Sequence, residues 1–398
     1  MIRPGNDHRD PTQDQNEIET EVLIVGAGPI GLEVAVELGR RAIASEIVDA
    51  GPIGATMTWW ARGTTFFSSP ERIQIASVPL VTPDQHKASR EQYLDYLRQV
   101  AGTHGLNVRT FERVVGIDRL NHADDSGPSG SGRARFEVRT VRTGGPAGVT
   151  RGGERAHPDA HCDGRRIRCS SVVLATGNMD RPRRLDIPGE ELPHVSHYLY
   201  DPHGYYGQRV LIVGGRNSAV EAAIRLYRVG AQVAISYRGD RFDHDRVKYW
   251  LWPELEWLID KGRIGFMPRT VPARISAGGA ELIPTDERGE PDTAVEPTPV
   301  ACDQVLLLTG YVQDTSLFES LGIALTGPER RPVFDRRTME TKVPGVYVAG
   351  TATGGSELRT RVFIETSHVH AERIGRALAG EPLPEPAEAP AYGALEES

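Results

Sequence analysis

Two glycine-rich turns carry the chemistry that can be read in this chain, and each comes directly after a short apolar run. The first run is Val22-Leu23-Ile24-Val25, leading into Gly26-Ala27-Gly28-Pro29-Ile30-Gly31. The second is Val210-Leu211-Ile212-Val213, leading into Gly214-Gly215-Arg216-Asn217-Ser218-Ala219. A glycine turn between a buried strand and a helix lets backbone N–H groups close on a pyrophosphate, which also sits at the positive end of the helix dipole. One such turn can be no more than a tight turn. Two of them point to two dinucleotides on one chain, and so to electron transfer between them.

The residues beyond each turn tell the two nucleotides apart. Past the first, 32–41 reads as a helix, 45–48 as a second strand, and Asp49 stands at that strand's end. An acid about 20 residues past the turn is where a ribose 2′-hydroxyl is bound. Past the second, 220–228 reads as helix and 232–236 as strand, and Tyr237 and Arg238 stand in the acid's place. Arginine there favours a 2′-phosphate, because its planar donor fork matches phosphate oxygens that an acid would repel. The first site is therefore assigned to FAD, although the turn by itself suits NAD equally, and the second to NADPH rather than NADH. Arg216 takes the position where a second glycine usually lets the backbone approach phosphate. Its guanidinium can add positive charge there, or its Cβ can weaken the site, and the sequence leaves both open.

Composition narrows the function classes. A chain of 398 residues suits two or three domains. An apolar content of 39% with 25% charged residues is that of a soluble globular protein. A formal charge of -8 argues against a nucleic-acid partner, which needs clustered Lys and Arg. No apolar run approaches the ~18–20 residues that span a bilayer, and the polar start lacks the apolar stretch of a signal peptide, so a cytoplasmic protein is expected. Cys162, Cys169 and Cys302 offer no Cys-x-x-Cys dithiol. Cys162 falls in a polar loop, and Cys169 opens a strand, where an inert thiol is the usual outcome. No metal site is expected, since His368 and His370 do not share a helix face.

The order of elements gives the expected architecture. Residues 1–19 and 381–398 read as disordered tails. A helix is expected over 90–104, then a strand leading into Val114 and Val115. The Gly-, Ser- and Pro-rich 121–165 stretch around a strand at 134–141 reads as a hairpin with an expanded loop. The 172–177 strand ends in Ala175-Thr176-Gly177, where small residues let the backbone lie close to a cofactor or another segment. The 305–310 stretch repeats that form, and 345–351 leads to a helix over 362–378. The expected fold is α/β, with two Rossmann-like three-layer ββα domains. An FAD-binding domain over 20–200 and 301–380 is interrupted by an NADPH-binding domain over 201–300.

In this order the motifs resemble the two-dinucleotide flavoprotein reductases of the thioredoxin-reductase type. They are most similar to the bacillithiol-disulfide reductase branch. That branch is marked by Thr65-Phe66-Phe67-Ser68-Ser69 running on to Val78-Pro79, by His197-Tyr198, by the second glycine turn, and by Tyr237-Arg238-Gly239. The likeness covers about residues 20–380, apart from the 121–165 expansion. It implies that Gly26, Gly28, Pro29 and Gly31 hold the FAD pyrophosphate, Asp49 the adenosine ribose, and the backbone near Val115 the adenine. It further implies that Gly350 and Thr351 lie by the ribityl chain and flavin, and Thr176 and Gly177 are expected among the FAD-binding residues. Gly214, Gly215, Arg216, Asn217, Ser218, Ala219, Tyr237 and Arg238 are expected at NADPH. A homodimer or homotetramer is implied, with a small molecule or redox protein as electron acceptor. Two departures stand out. Thioredoxin reductases usually carry an acid where Thr351 stands, and bacillithiol-type relatives carry a cysteine where this chain has Ile30.

The leading expectation is an FAD enzyme that oxidises NADPH and passes electrons to a disulfide such as bacillithiol disulfide, a quinone, a redox protein or oxygen. A flavin monooxygenase is the alternative enzyme, since Gly189 with His194, Ser196 and Tyr198 loosely resembles that class's linker motif. A redox sensor holding both nucleotides without turnover is the alternative of another class. No catalytic acid or base is assigned. Glu365 and His368, at helix spacing, could set a general acid near the flavin ring, but read first as a capped or solvent-facing pair. Arg359 and Arg361 read as solvated, and Trp59, Trp60, Trp250, Trp252 and Trp257 as packing residues.

Overall fold

A computed structural model of the chain describes residues 17–120, 134–144, 164–244, 247–356 and 362–383. The chain divides into two compact units. One comprises residues up to 57, 65–180 and those from 312 onward; the other comprises 58–64 and 181–311.

The first unit opens with β1 (Glu17–Val25), α1 (Pro29–Arg40) and β2 (Ser45–Val48). After the single turn α2 (Pro70–Ile73) and helix α3 (Arg90–Thr103) come β3 (Val108–Arg109), β4 (Glu112–Arg119), β5 (Phe136–Arg142) and β6 (Arg165–Leu174). The sheet order is β3-β2-β1-β6-β5-β4. β1 runs parallel to β2 and β6, whereas β5 is antiparallel to both β4 and β6. Helix α3 starts where the sequence places it because Ser89 and Gln92 form a capping box, which satisfies two backbone N–H groups at the helix start. Residues 17–19, expected in the tail, belong to β1. Glu17, Ile18 and Glu19 pair in register with Arg166, Ile167 and Arg168 of β6. Their polar composition conceals the strand, because its ladder partner lies far away in the chain.

In the second unit, β7 (Val195–Ser196) precedes β8 (Arg209–Val213), α4 (Asn217–Arg228), β9 (Gln232–Tyr237) and α5 (Trp252–Asp260). Next come β10 (Gly265–Pro268), the antiparallel trio β11 (Thr270–Ser276), β12 (Gly279–Pro284) and β13 (Thr298–Ala301), and β14 (Gln304–Leu307). The parallel sheet has the order β10-β9-β8-β14-β7. The run in β8 is apolar at consecutive positions because both faces are covered. Val210 and Ile212 pack with Val220, Leu255 and Leu258 of the helices. Leu211 and Val213 pack with Ile275, Ala280 and Leu282 of the antiparallel trio. This alternation makes three layers, at about 1.5–3 kcal/mol for each fully buried aliphatic side chain.

The unit therefore runs from Arg181 to Tyr311 rather than over 201–300, because β7 and β14 complete its parallel sheet. The 58–64 segment joins it too: Arg225 Nη1 donates to Thr64 Oγ1 at 2.7 Å. The chain then re-enters the first unit through α6 (Ser316–Ser320), whose Phe318 is buried, and β15 (Val346–Val348), which pairs parallel with β6. Helix α7 (Ile364–Ala379) is the last element. No helix among the described residues is long and apolar enough to cross a membrane. Most of both expected tails and of the 121–165 expansion, with Cys162, Arg359 and Arg361, lies outside the described residues.

Candidate functional site

At the first turn the glycines answer to contact, not only to conformation. Gly26 has φ +116°, and a Cβ on it would lie 2.3 Å from the Ala175 carbonyl oxygen; one on Gly31 would lie 2.0 Å from the Gly26 carbonyl oxygen. Gly28 faces open space and begins α1, with Pro29 next and no side chain capping the helix. The first N–H groups of α1 are thus left without a side-chain cap, an arrangement that suits a pyrophosphate. Asp49 accepts from Ala27 N–H through Oδ2 and from Gly51 N–H through Oδ1, each at 2.7 Å. Burial pushes its carboxyl up to about 6, against those two N–H groups and the charge of Arg113. The acid therefore braces the turn, and each oxygen keeps a lone pair for a ribose hydroxyl. On β4 it is Arg113 whose charge reaches Asp49. Val115 sits further along, beside the register shift between Val114 and Gly116, and is 47% exposed.

Thr176, Gly177, Gly350 and Thr351 come together. A Cβ on Gly177 would lie 3.7 Å from Thr351 Oγ1. Gly350, at φ +67°, lies against Ile30, whose Cβ would stand 3.2 Å from an added Cβ. Gly350 N–H donates to His370 Nδ1 at 3.1 Å. Burial pulls His370 down to about 3, aided by the charges of Arg373 and His368, so its ring stays neutral and keeps that acceptor. Gln313, which sequence reasoning missed, bonds through Nε2 to the carbonyls of Gly177 and Ala352. Thr176 Oγ1 and Gln313 Oε1 are buried with no hydrogen-bond partner among the described residues. Orphaned polar atoms beside an open glycine turn fit a large polar cofactor such as FAD.

The second turn is built alike. A Cβ on Gly214, at φ +144°, would lie 2.5 Å from the Leu308 carbonyl oxygen, and Ala219 packs beneath it. Arg216, exposed, precedes α4, which has no side-chain cap and no acid in its first turn. Asn217 Oδ1 accepts from Lys248 N–H at 2.8 Å, and Ser218 is exposed. Gly215 is closely packed on its side-chain side. Its missing side chain makes room for the Tyr237 ring, 2.3 Å from where a Cβ would stand. Tyr237 stacks on Phe242 with centroids 5.3 Å apart. Arg238 is exposed, while its carbonyl is pinned by Thr285 Oγ1 at 2.7 Å. An uncapped helix end with exposed arginines and no carboxylate fits a phosphorylated dinucleotide.

Other expected features resolve plainly. Gly189 has φ +88°, and a Cβ would lie 2.0 Å from the Ile275 carbonyl oxygen, so packing against β11 accounts for it without a cofactor. Cys169 and Cys302 are buried, and burial pushes the Cys169 thiol up to about 12. Trp59 meets Tyr198 edge-on at 5.8 Å, Trp252 packs on Phe242, and Trp257 is 53% exposed. Among the described residues no group of three or more His, Cys, Asp or Glu is gathered as metal ligands.

Glu365 and His368 are neither capped nor turned to solvent. Glu365 pairs with Arg72 at 3.5 Å. His368 Nδ1 lies 2.9 Å from Glu33 Oε2, and its Nε2 lies 3.1 Å from the Arg72 carbonyl oxygen. Glu33, buried on α1, also accepts from Ala76 N–H at 2.9 Å. Both imidazole nitrogens face acceptors, so the imidazolium is the form that satisfies both. Burial opposes this charge, but the Glu33 bond and charge, the Arg72 carbonyl and Glu365 outweigh it and raise the His368 pKa.

A family model described as pyridine nucleotide-disulphide oxidoreductase matches residues 23–125 and 147–350. Bacilliredoxin reductase Bdr of Bacillus subtilis is 29% identical over 363 residues, covering 91% of this chain and 98% of that protein. A ferredoxin–NADP reductase of Ignicoccus hospitalis is 25% identical, covering 84% of this chain and 90% of that one. Among solved structures, the bacillithiol disulfide reductase Bdr of Bacillus cereus matches with a TM-score of 0.77 and 28% identity, over 91% of this chain and 99% of its own.

The His368 bridge makes stability depend on pH. Its contribution is fully present below the ordinary histidine value of 6.5 and is lost as pH rises through the higher folded value. His368→Gln is expected to lower apoprotein stability by about 1 kcal/mol at pH 6. The gap between wild type and variant should close by pH 9 in thermal unfolding followed by circular dichroism. A gap independent of pH would show that the imidazolium is not the stabilising form.

Proposed function

The chain belongs to the pyridine nucleotide-disulphide oxidoreductase family and is a flavin-dependent reductase that oxidises NADPH. From that premise we propose that its acceptor is a low-molecular-weight disulfide of the bacillithiol kind, reduced by the flavin without a protein thiol. The observation that carries this reading is the likeness to bacillithiol disulfide reductase along nearly the whole of both chains. The first unit takes FAD, with its pyrophosphate on Gly26, Gly28, Pro29 and Gly31, a ribose hydroxyl on Asp49, adenine along β4 near Arg113 and Val115, and the flavin end at Thr176, Gly177, Gly350 and Thr351. The second takes NADPH at the N–H groups of Arg216, Asn217 and Ser218, with Arg238 on the 2′-phosphate.

Bound FAD supplies a two-electron carrier, so that NADPH + H⁺ + RSSR gives NADP⁺ + 2 RSH. The protein binds, orients and excludes water, while the carriers do the redox chemistry. Ile30 offers no thiol beside Gly350, and Cys169 and Cys302 are buried as neutral thiols, which supports attack on the disulfide at the flavin itself.

NADPH oxidation is to be measured with bacillithiol disulfide, glutathione disulfide, a ferredoxin, a quinone and oxygen, using wild type and a variant carrying Cys162→Ala, Cys169→Ala and Cys302→Ala. Bacillithiol disulfide should give the fastest turnover, and the cysteine-free variant should keep at least about half of it. Fastest turnover with ferredoxin or quinone would reject the disulfide, and loss of turnover in a folded cysteine-free variant would reject the thiol-free route. In a separate test Arg238→Ala should lower kcat/KM for NADPH by about tenfold to a hundredfold, the value of a charge-assisted hydrogen bond, and change that for NADH by less than about twofold. Equal losses for both would remove Arg238 from phosphate recognition.

A further inference from the structure

Where the chain returns to the first unit, it buries a glutamine that neither nucleotide fingerprint uses. Gln313 is 3% exposed. Its backbone N–H donates to Ser356 Oγ at 2.8 Å. Its Nε2 donates to the Gly177 carbonyl at 3.3 Å and to the Ala352 carbonyl at 3.0 Å, which spends both amide hydrogens. The side chain thus stitches the turn after β6 to the turn after β15. Carbonyl oxygens only accept, so the amide nitrogen must face them and Oε1 must point elsewhere. That oxygen is buried and has no hydrogen-bond partner among the described residues, and neither has Thr176 Oγ1, next to Gly177. Buried acceptors are rarely left so, because the desolvation is uncompensated.

We propose that Gln313 is an FAD-binding residue whose Oε1 accepts a hydrogen bond from a hydroxyl of the ribityl chain, while Nε2 holds the two flanking turns in register around that chain. This rests on the assignment of the first unit to FAD. A polyol is the part of the cofactor that fits two orphans at one turn. Each hydroxyl both donates and accepts, so one serves Gln313 Oε1 and another serves Thr176 Oγ1, whereas the oxidised flavin ring carries a lone imide N–H.

Full-length apoprotein is titrated with FAD and with the 2′-, 3′- and 4′-deoxyribityl analogues of FAD, following flavin fluorescence, for wild type and Gln313→Met. Wild type should bind one analogue about tenfold more weakly than FAD. Gln313→Met should bind FAD about tenfold more weakly and bind that analogue no worse than FAD, a coupling that a purely structural role would not produce. If Gln313→Met does not fold, Gln313→Asn, which withdraws the oxygen by one methylene, takes its place with the same expectation. Equal binding of all analogues by wild type, or unchanged discrimination in the folded variant, overturns the proposal while leaving FAD binding intact. Failure of wild type to bind FAD at all overturns the cofactor assignment itself.

Discussion

The structure depends on one close approach of backbone to backbone, made twice. At the end of β1 the chain passes so near the end of β6 that a methyl on Gly26 would sit 2.3 Å from the Ala175 carbonyl oxygen. At the end of β8 the same approach sets Gly214 against the Leu308 carbonyl oxygen, at 2.5 Å. No side chain fits there, and both glycines adopt positive φ, so residue type is dictated by distance as well as by torsion. Because the turn is pinned to its neighbouring strand, the next helix begins at a fixed place. Both α1 and α4 then begin with no side chain filling their N-terminal cap. The open helix end that fits a phosphate is thus a by-product of how two parallel strands finish side by side.

Much of this was legible because it is local. Strand, turn, helix and strand succeed one another within a few dozen residues, and the apolar runs in β1 and β8 announce sheets covered on both faces. The two-layer burial of β8 could be read from its composition, whereas the membership of β7 and β14 in the same sheet could not, since it joins segments far apart in the chain. The same limit hid the bond between His368 and Glu33, 335 positions apart, and the link from Gln313 to Gly177. Gly215 shows a subtler limit. The sequence marks a place where a side chain is forbidden, but only the fold says that an aromatic ring from β9 is what forbids it.

Asp49 shows how one residue can answer two demands. A carboxylate at the end of β2 is the signature of ribose recognition, yet its two oxygens also hold the N–H of Ala27 in the turn and the N–H of Gly51 just past β2. Replacing it would disturb the cradle itself. Around the other end of the site, the neutral ring of His370 and the amide of Gln313 brace the turns after β6 and β15 from α7 and from the returning chain. The turns after β6 and β15 are therefore held from behind by polar side chains of other segments.

Ile30 sets the capacity of the molecule. Its branched side chain fills the space against Gly350 with hydrocarbon, and the described cysteines, Cys169 and Cys302, are buried. Where the flavin works without a protein thiol, as proposed, it stores one pair of reducing equivalents at a time. Donor and acceptor must then take strict turns, and each molecule of nicotinamide oxidised is matched to a single reductive event before the next can begin.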